Sequence, residues 1–294
     1  MDVGVIINPI SGGRRRASVA DRVSLAEDAL RIAELDGEVV VTERRAHARE
    51  LARSFIERGV GAVVVWGGDG TINEVASEVA FRGPALGIVP GGSGNGLARE
   101  LGLPRTPGPA FRIALEGRPR SIDVGELGGR LFFNVAGVGF DALLADRFNA
   151  RTTRGPLGYF VSMCREVLTY ESNYYVLRAS DVAISQTALV VALANSRQYG
   201  NDAQIAPLAR LDDGLLELVV LPALEPLVAL WHARRLFSGT VHEIPGVRMQ
   251  SIRQVEIASD ALDTFHVDGE VVPATGTLSA SVHPHALPVR VPDA

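Results

Sequence analysis

The sequence predicts an α/β domain with a parallel sheet, followed from about Ile122 by a mainly antiparallel, β-rich domain. Two observations predict this division. The first third of the chain alternates apolar strand patterns with helix patterns of 3.6-residue period, whereas the remainder consists mostly of short strand-like runs separated by turn residues such as Asp268-Gly269. The chain has 294 residues, which is enough for two domains.

In the first domain, the first strand pattern ends at Asn8-Pro9, and the longer helix patterns stop at glycine. Ala62–Trp66 is continuously apolar, as strands of a parallel sheet are when helices cover both faces. The predicted strands are Val3–Ile7, Glu38–Val41, Ala62–Trp66 and Leu86–Val89. The predicted helices are Ala17–Leu35, His47–Arg58, Thr71–Phe81 and the short Leu97–Leu101.

The second domain is predicted to be an antiparallel sandwich or barrel, because its strand patterns are short and separated by turn signals. Its predicted strands are Leu131–Val135, Tyr174–Arg178, Ala188–Leu193, Leu215–Val220, Gln254–Ala258 and Leu278–His283. Two helical inserts are predicted within it, at Tyr159–Tyr170 and Pro226–Phe237.

Composition excludes several classes of function. The net charge of −5 gives no global basic field that would attract nucleic acid. The longest apolar runs, such as Val60–Trp66, are too short to span a bilayer, so membrane contact is expected to be peripheral. The single cysteine, Cys164, excludes an internal disulfide and is consistent with a reducing cytoplasm.

The chain contains no lysine, and all 29 of its basic side chains are arginine. The Walker A lysine, the protein-kinase strand lysine and a Schiff-base lysine are therefore excluded. If this protein binds phosphate, it must use glycine-rich backbone, arginine or a metal ion.

Loops follow the four predicted strands of the first domain, and parallel strands bring such loops to one edge of the sheet. The loops are Asn8–Gly13, Thr42-Glu43, Gly67–Asn73 and Pro90–Asn95. Glycine lacks a Cβ, so the backbone can approach phosphate oxygens, and helix N-termini favour anions. The alternative is that these are ordinary strand-to-helix turns; the dinucleotide pattern G-x-G-x-x-G is incomplete in the third and fourth loops.

Asp69 is unusual among these residues, because a carboxylate is repelled by anions unless it holds a cation or accepts a proton from the substrate. A Mg²⁺-nucleotide site would provide the cation, and an attacking hydroxyl would provide the proton. The alternative interpretation of Asp69 is a turn aspartate. Arg14, Arg15 and Arg16 follow the first loop, and the sequence does not decide which of them contacts phosphate.

Three motifs of the first domain resemble the nucleotide motifs of the diacylglycerol kinase-like lipid kinases, a group that includes sphingosine and ceramide kinases. They are Asn8–Gly12, Gly67–Thr71 and Gly92–Asn95. Later segments also match this family, namely Asn134–Asp141, Asn195–Pro207, Leu211–Leu216 and Val267–Glu270. The Gly-Gly-Asp-Gly motif alone also occurs in NAD kinases and phosphofructokinase relatives, so the later segments are what favour a lipid kinase.

This resemblance implies a Rossmann-like N-terminal domain of the NAD kinase and phosphofructokinase type over residues 1–121, and a β-sandwich over residues 122–283. Residues 284–294 would return to the first domain, and ATP would bind in the cleft. The resemblance also implies ATP and Mg²⁺ as cofactors and a lipid acceptor at a membrane surface. The protein would be cytoplasmic and peripheral at the membrane when acting, and a homodimer is left open.

The resemblance also assigns site residues. The nucleotide contacts would be Asn8, Pro9, Ser11, Gly12, Thr42, Gly67, Gly68, Asp69, Gly70, Thr71, Asn73, Gly92, Ser93 and Asn95. Glu270 matches the proton acceptor of the bacterial members, and Asp69 is the other candidate. Asp213 matches an acidic ligand of a structural Mg²⁺, to which Arg210 and Leu215 would add backbone carbonyls.

One departure concerns the acceptor. The fourth loop reads Gly-Ser-Gly-Asn-Gly, with Gly96 where bacterial diacylglycerol kinases usually carry aspartate, and this is closer to the sphingosine and ceramide kinase form. Asp141 lies near the substrate carboxylate of that form and is a candidate contact to the lipid head group. Alternatively, Glu270 is a solvated hairpin residue and Asp212-Asp213-Gly214 is a type I′ hairpin turn.

Two other functions remain open from the sequence. One is a kinase for a water-soluble hydroxyl compound such as NAD, and the other is a nucleotide-binding regulator without catalysis. The side chains of Tyr159, Phe160, Met163 and Leu168 are interpreted as core packing rather than as a lipid-facing patch.

Overall fold

The computed structural model describes residues 1–12, 18–149, 166–179, 182–200 and 202–293. The chain forms two compact units, of which the first comprises Met1–Ile122 with His285–Ala294 and the second comprises Asp123–Pro284. Arg14, Arg15, Arg16 and Cys164 lie outside the described residues, as does most of the predicted helix Tyr159–Tyr170. No helix in the described part of the chain is long and apolar enough to cross a membrane.

The first unit contains a parallel sheet with strand order β2-β1-β3-β4, and the end of β17 lies beside β4. These strands are β1 (Val3–Ile7), β2 (Gly37–Val41), β3 (Ala62–Gly67), β4 (Ala85–Pro90) and β17 (Leu278–Val291). Every residue of β1, β3 and β4 is buried, which explains their continuously apolar sequences.

Helices cover this sheet. They are α1 (Val19–Ile32), α2 (His47–Glu57), α3 (Asp69–Val79), α4 (Gly96–Glu100) and α5 (Pro107–Glu116). Helix α5, which the sequence analysis did not predict, packs on β4, where a Cβ at Gly87 would lie 2.6 Å from the carbonyl oxygen of Ala114. The ring of Phe111 in α5 meets Trp66 edge-on with centroids 5.4 Å apart. Close backbone approach and aromatic packing therefore fix α5 on the sheet.

The second unit is an antiparallel β-sandwich, as the sequence predicts. Its strands are paired in the order β16-β15-β7-β9-β8-β14-β17, while β12 pairs with β9 and β13, and β5 pairs with β6. The strands are β5 (Arg118–Leu127), β6 (Arg130–Phe132), β7 (Val135–Gly139), β8 (Asn173–Ala179), β9 (Val182–Ala194), β10 (Gln198–Gly200), β11 (Ala203–Gln204), β12 (Leu216–Pro222), β13 (Arg248–Ile252), β14 (Gln254–Ala258), β15 (Thr264–Val267) and β16 (Glu270–Pro273).

The central strands of this sandwich are buried on both faces. Ala136 and Val138 of β7 point into one apolar cluster, whereas Val135 points into a second. Helices lie over the second cluster. They are α6 (Phe140–Asn149), α7 (Pro226–His232), α8 (Arg235–Ser238) and a 3₁₀ turn (Val241–Glu243).

Three local predictions differ from the structure. The predicted strand Leu131–Val135 is two strands, because the carboxylate of Asp268 binds the backbone between them. The predicted helix Pro226–Phe237 is two short helices, α7 and α8. Asp212-Asp213-Gly214 is not a two-residue hairpin; of these three residues only Gly214 has a left-handed φ, of 72°, and its N–H donates to the buried carboxylate of Asp123.

Candidate functional site

The loops after β1, β3 and β4 meet at the carboxyl edge of the parallel sheet. The side-chain amide of Asn8 in the first loop donates to the hydroxyl of Thr71 in the third, at 2.7 Å. The backbone N–H of Gly91 donates to the carbonyl of Gly67 at 2.7 Å, which joins the third and fourth loops. Three of the four predicted loops, those that begin at Asn8, Gly67 and Pro90, are thus connected by hydrogen bonds within the first unit.

The side chain of Arg22 in α1 stabilises the first loop through hydrogen bonds on the buried side of the loop. One guanidinium nitrogen donates to the carbonyl oxygen of Asn8 at 3.0 Å and to the hydroxyl of Ser11 at 3.1 Å, and the other donates to the carbonyl oxygen of Ser11 at 2.6 Å. The side chain is 4% exposed and lies over the ring of Trp66, 5.0 Å from its centroid. Arg22 therefore places a permanent positive charge directly beneath the loop.

Most glycines of these loops are required by close neighbours. A Cβ at Gly92 would lie 2.7 Å from the Cα of Gly68, and a Cβ at Gly91 would lie 2.8 Å from the hydroxyl of Ser11. Gly12 has a left-handed φ of 102°. Gly70 differs, because it is exposed and a Cβ there would meet nothing within 4 Å. The space beside Gly70, at the start of α3, is therefore open.

Asp69 supports the fourth loop. One carboxylate oxygen accepts the N–H of Asn95 and the other accepts the N–H of Gly96, both at 2.8 Å. The side chain of Asn95, which has a left-handed φ of 52°, in turn holds both the N–H and the carbonyl oxygen of Gly92. An ionised carboxylate has about four acceptor positions, so these two bonds leave Asp69 able to hold a cation or accept a proton.

The N-terminus of α3 faces the same edge. Its first intrahelical acceptor is the carbonyl of Gly68, which bonds the N–H of Ile72 at 2.9 Å. The N–H groups of Asp69, Gly70 and Thr71 precede that bond and have no carbonyl one turn earlier in the helix. Such a helix start favours an anion through both its N–H groups and its dipole.

The remaining predicted nucleotide contacts lie at the same edge with different exposure. Thr71 and Asn73 in α3 are buried, and Asn73 accepts from the hydroxyl of Ser77 at 3.4 Å. Thr42 is buried at the end of β2, where its N–H donates to the carbonyl of Ile7. Ser93 is exposed. Ser93 is therefore more accessible to a ligand than the buried polar groups are.

A second polar cluster lies in the second unit around Asp141, in the first turn of α6. Its carboxylate, 7% exposed, accepts from the hydroxyl of Tyr199 at 2.7 Å and lies 2.5 Å from Nε2 of His266. A Cβ at Gly137 would lie 2.7 Å from the same carboxylate oxygen, so glycine leaves room for it. Neither Tyr199 nor His266 is among the individual site residues that the sequence motifs predict.

The charge of Asp141 alters the protonation of His266. Burial lowers the pKa of His266, but the Asp141 carboxylate and the hydrogen bond to it, with the charge of Asp268, raise that pKa above its ordinary value on balance. The N–H of Gly269 lies 3.3 Å from Nδ1, a contact that would suit a neutral ring. The shorter contact to a carboxylate outweighs this long one, and it favours the protonated ring.

Glu270 follows a two-residue hairpin turn. Asp268 and Gly269 have left-handed φ values of 48° and 83°, and Glu270 pairs with Val267 across the turn, as in a type I′ hairpin. The Asp268 carboxylate accepts the N–H groups of residues 133–135 at 2.9–3.2 Å. Glu270 itself is exposed, and α6, which carries Asp141, packs on β15 and β16.

The predicted structural metal ligands lie in the loop before β12. Asp213 is exposed and accepts the N–H of Leu215 at 3.0 Å, while the guanidinium of Arg210 lies 3.8 Å from the carboxylate of Asp212. Among the described residues, no group of three or more His, Cys, Asp or Glu side chains could hold a metal ion. One carboxylate with backbone carbonyls and water still fits Mg²⁺, which often keeps several waters.

Comparison with known proteins identifies related sequences for both units. Residues 2–127 match the model of the diacylglycerol kinase catalytic domain, and residues 134–291 match that of the YegS C-terminal NAD kinase beta sandwich-like domain. A relative from Serratia proteamaculans, named "Probable lipid kinase YegS-like", is 32% identical over 92% of this chain and 90% of its own length. A protein of the same name from Chromohalobacter salexigens is 40% identical over 62% of this chain and 60% of its own length.

Solved structures share the fold. A diacylglycerol kinase crystal structure from Bacillus anthracis superposes with a TM-score of 0.81 at 21% identity, covering 99% of this chain and 96% of that one. An NAD kinase from Archaeoglobus fulgidus in complex with ATP gives a TM-score of 0.55 at 14% identity, covering 98% and 93% of the two chains. At these identities the similarity concerns the fold alone.

Proposed function

The chain belongs to the diacylglycerol kinase family of YegS-like lipid kinases, and on that premise we propose that it transfers the γ-phosphoryl group of ATP to a hydroxyl of a diacylglycerol- or sphingosine-like lipid. The observation that carries this proposal is the open N-terminus of α3 beside the connected loops at the carboxyl edge of the first sheet. This edge combines backbone N–H donors, a buried arginine and a carboxylate.

In this proposal the first unit binds the triphosphate. The N–H groups at the start of α3 donate to phosphate oxygens, and the exposed hydroxyl of Ser93 adds a further donor. Arg22 supplies positive charge through the first loop, which is the chain's substitute for the lysine that it lacks. The side chain of Asn8 links the first loop to the third, and the side chain of Asn95 fixes the conformation of the fourth loop.

A bound Mg²⁺ would supply positive charge that neutralises negative charge developing on the triphosphate during transfer. Asp69 is the residue proposed to hold it, because its carboxylate retains acceptor positions beside the two amide donors. We propose a second, structural Mg²⁺ at Asp213 with the carbonyls of Arg210 and Leu215, where the Asx-type bond from Leu215 already fixes the carboxylate.

The acceptor hydroxyl needs a base that is accessible to the lipid. Glu270 is exposed on a hairpin that Asp268 holds through three backbone N–H groups, so its position is fixed while its carboxylate stays available. Asp69 is the alternative base. Asp141 is proposed to contact the polar head of the acceptor through its other carboxylate oxygen, Oδ1, because the hydroxyl of Tyr199 and Nε2 of His266 both lie at Oδ2.

The test is to incubate the protein with labelled ATP, Mg²⁺ and a total lipid extract, and to identify the phosphorylated species by mass. We expect a labelled lipid that disappears with Glu270→Gln or Asp69→Asn. Labelled NADP, formed from added NAD without any labelled lipid, would replace the proposal by a kinase for a water-soluble acceptor. ATP binding without turnover on any acceptor would indicate a regulator.

A further inference from the structure

The second unit exposes an apolar face that the kinase site does not use. In α7, Leu227 is 75% exposed, Val228 43% and Trp231 56%, and in α8 Phe237 is 58% exposed. Leu227 and Trp231 are four residues apart, so they lie one above the other on one side of the helix. Leu227 and Trp231 therefore share one side of α7, and we call the exposed apolar side chains of α7 and α8 together the α7–α8 face.

The opposite side of the same helices packs on the protein. Ala229 and Leu230 of α7 and Leu236 of α8 contact the apolar cluster beneath them, and His232 is buried. The two helices are therefore packed firmly on the protein by one side, and the α7–α8 face is their opposite side, which is exposed to solvent. The solvent-exposed side of a surface helix normally carries polar residues, so exposed apolar residues here are unusual.

Positive charge lies at the edge of this face. The guanidinium of Arg234 lies 4.0 Å from the centre of the Trp231 ring, and its Nε donates to the carbonyl oxygen of Trp231 at 3.2 Å. Of the two arginines in α7, α8 and the residues between them, Arg235 forms an ion pair with Glu243, so the positive charge offered to a ligand at this face is that of Arg234. Tryptophan and arginine side by side suit the boundary between lipid tails and anionic head groups.

The size of the α7–α8 face distinguishes between two binding partners, a second copy of this chain and a lipid bilayer. Four side chains of this kind, about half exposed, present on the order of 400 Å² of apolar surface. A stable dimer buries about 800 Å² from each partner. The face is therefore too small to make a stable dimer by itself, but it suits shallow, reversible insertion into a bilayer.

We propose that the α7–α8 face is the surface by which this protein docks on an anionic lipid bilayer, with Leu227, Trp231 and Phe237 entering the head-group region and Arg234 pairing with lipid phosphate. The proposal rests on the proposed function, since a lipid acceptor resides in a membrane. It adds the place of contact and the lipid charge that the contact prefers.

The two tryptophans make the test direct. Trp66 is 4% exposed in β3, whereas Trp231 is exposed, so an environmental change at the α7–α8 face changes the emission of Trp231. With vesicles of mixed phosphatidylglycerol and phosphatidylcholine, without ATP, we expect a blue shift and quenching by brominated lipid tails. Both effects should disappear in Trp231→Phe and weaken with pure phosphatidylcholine. An emission spectrum unchanged by anionic vesicles would overturn the proposal.

A pair of variants tests whether the α7–α8 face contributes to the affinity of the protein for vesicles. Leu227→Ser with Trp231→Ser should weaken vesicle binding by a factor of about ten or more, because the apolar surface that enters the bilayer is lost. Ile32→Ser, at a residue 77% exposed on α1, is the matched control and should bind as the unmodified protein does. Equal loss in both variants, or a dimer in solution that only the Leu227 and Trp231 changes dissociate, would contradict the proposal.

Kinase assays separate docking from chemistry. Phosphorylation of a short-chain, monomeric lipid should be unchanged in the Leu227 and Trp231 double variant, whereas phosphorylation of the same lipid class in vesicles should fall. If no lipid is phosphorylated in either form while vesicle binding persists, the proposed function fails and the docking surface stands. If vesicle activity is unaffected by the double variant, the docking surface fails.

Discussion

At the scale of the residue, one substitution at Asp69 disturbs both its support of the fourth loop and its proposed role towards the metal ion or the proton. Asp69→Asn removes the negative charge and also turns an NH₂ group towards one of the two backbone N–H donors, of Asn95 or Gly96. We expect kcat to fall by about two orders of magnitude or more if the carboxylate acts on the metal or the proton. Steady-state kinetics with varied ATP would measure this.

Asn95→Ala is the matched control, because it loosens the fourth loop through Gly92 and leaves the Asp69 carboxylate in place. It should raise KM for ATP with a smaller effect on kcat. If Asp69→Asn showed the same pattern as Asn95→Ala, Asp69 would be a positioning residue only. Near-normal turnover in Asp69→Asn would remove it from the mechanism.

We expect His266 to make the stability of the second unit depend on pH. Its pKa is raised in the folded protein, chiefly by Asp141 acting against burial, relative to about 6.5 in an unfolded chain. A raised histidine pKa contributes stability that is fully present below the unfolded pKa and is lost as pH rises through the folded pKa. The difference in free energy of unfolding between the protein and His266→Gln should therefore shrink as pH rises above about 6.5.

Denaturant unfolding at a series of pH values would measure this difference. Tyr199→Phe is the comparison, since it removes the other hydrogen bond to Asp141 without removing the histidine. Its destabilisation should stay constant from about pH 6 to pH 8. A difference for His266→Gln that grows with pH would mean that burial outweighs the carboxylate.

At the scale of the element, the strands were easier to predict than the contacts at their ends. The run Val3–Ile7 was predicted with its observed bounds, because a strand buried on both faces has an unbroken apolar sequence. Helix α5 is not predicted from the sequence, because it begins with Pro107-Gly108-Pro109, and such proline and glycine clusters are typical of loops. Pro107 is at the first position of the helix, where no N–H is needed.

The site residues that pattern reasoning missed are those defined by distant contacts. Arg22 sits on the buried side of α1, and its partners lie eleven and fourteen residues earlier. Asp268 binds the backbone of residues 133–135, which no local spacing reveals. A charged residue on the apolar face of a predicted helix was the only available signal for Arg22.

The N-terminus of α3 gives a prediction at this scale. A Cβ at Gly70 has space and no left-handed φ to overcome, so Gly70→Ala should leave the free energy of unfolding unchanged or raise it by about 0.5–1 kcal/mol. The same methyl group would occupy the space proposed for phosphate, so ATP affinity should fall by roughly tenfold or more. Thermal unfolding without ligand and calorimetric titration with ATP would measure the two effects.

Gly108→Ala in the first turn of α5 is the control, because a Cβ there also meets nothing within 4 Å. It should leave ATP affinity unchanged. Equal ATP affinity in Gly70→Ala and the unmodified protein would place the triphosphate elsewhere.

At the scale of the whole molecule, the chain passes from the first unit to the second along β5 and returns along β17. The sequence pattern predicted a strand over Leu278–His283, whereas β17 continues to Val291. Pro284, Pro288 and the left-handed His285, with φ of 52°, interrupt the alternation that would otherwise have revealed one strand. That β17 continues as one strand across these residues depends on its pairing with β14 and β4, which the local sequence does not reveal.

The returning segment is expected to be necessary for the first unit. Leu287, Val289 and Val291 are buried, and Val289 lies opposite Leu86 of β4. Fully burying each such side chain contributes about 1.5–3 kcal/mol, and the sum is comparable with the 5–15 kcal/mol that stabilises a whole domain. A chain ending at Pro284 should therefore lose the structure of the first unit.

Emission of the buried Trp66, read in a Trp231→Phe background, and amide hydrogen exchange in β1 and β3 would report on that loss. Removing only the residues from Asp293 onward is the control and should change neither signal, because Asp293 is exposed. Leu287→Ala gives a graded version of the same test, with an expected destabilisation of about 2–5 kcal/mol. A first unit that keeps its protected amides in the chain ending at Pro284 would mean that β17 is attached to a sheet already stable without it.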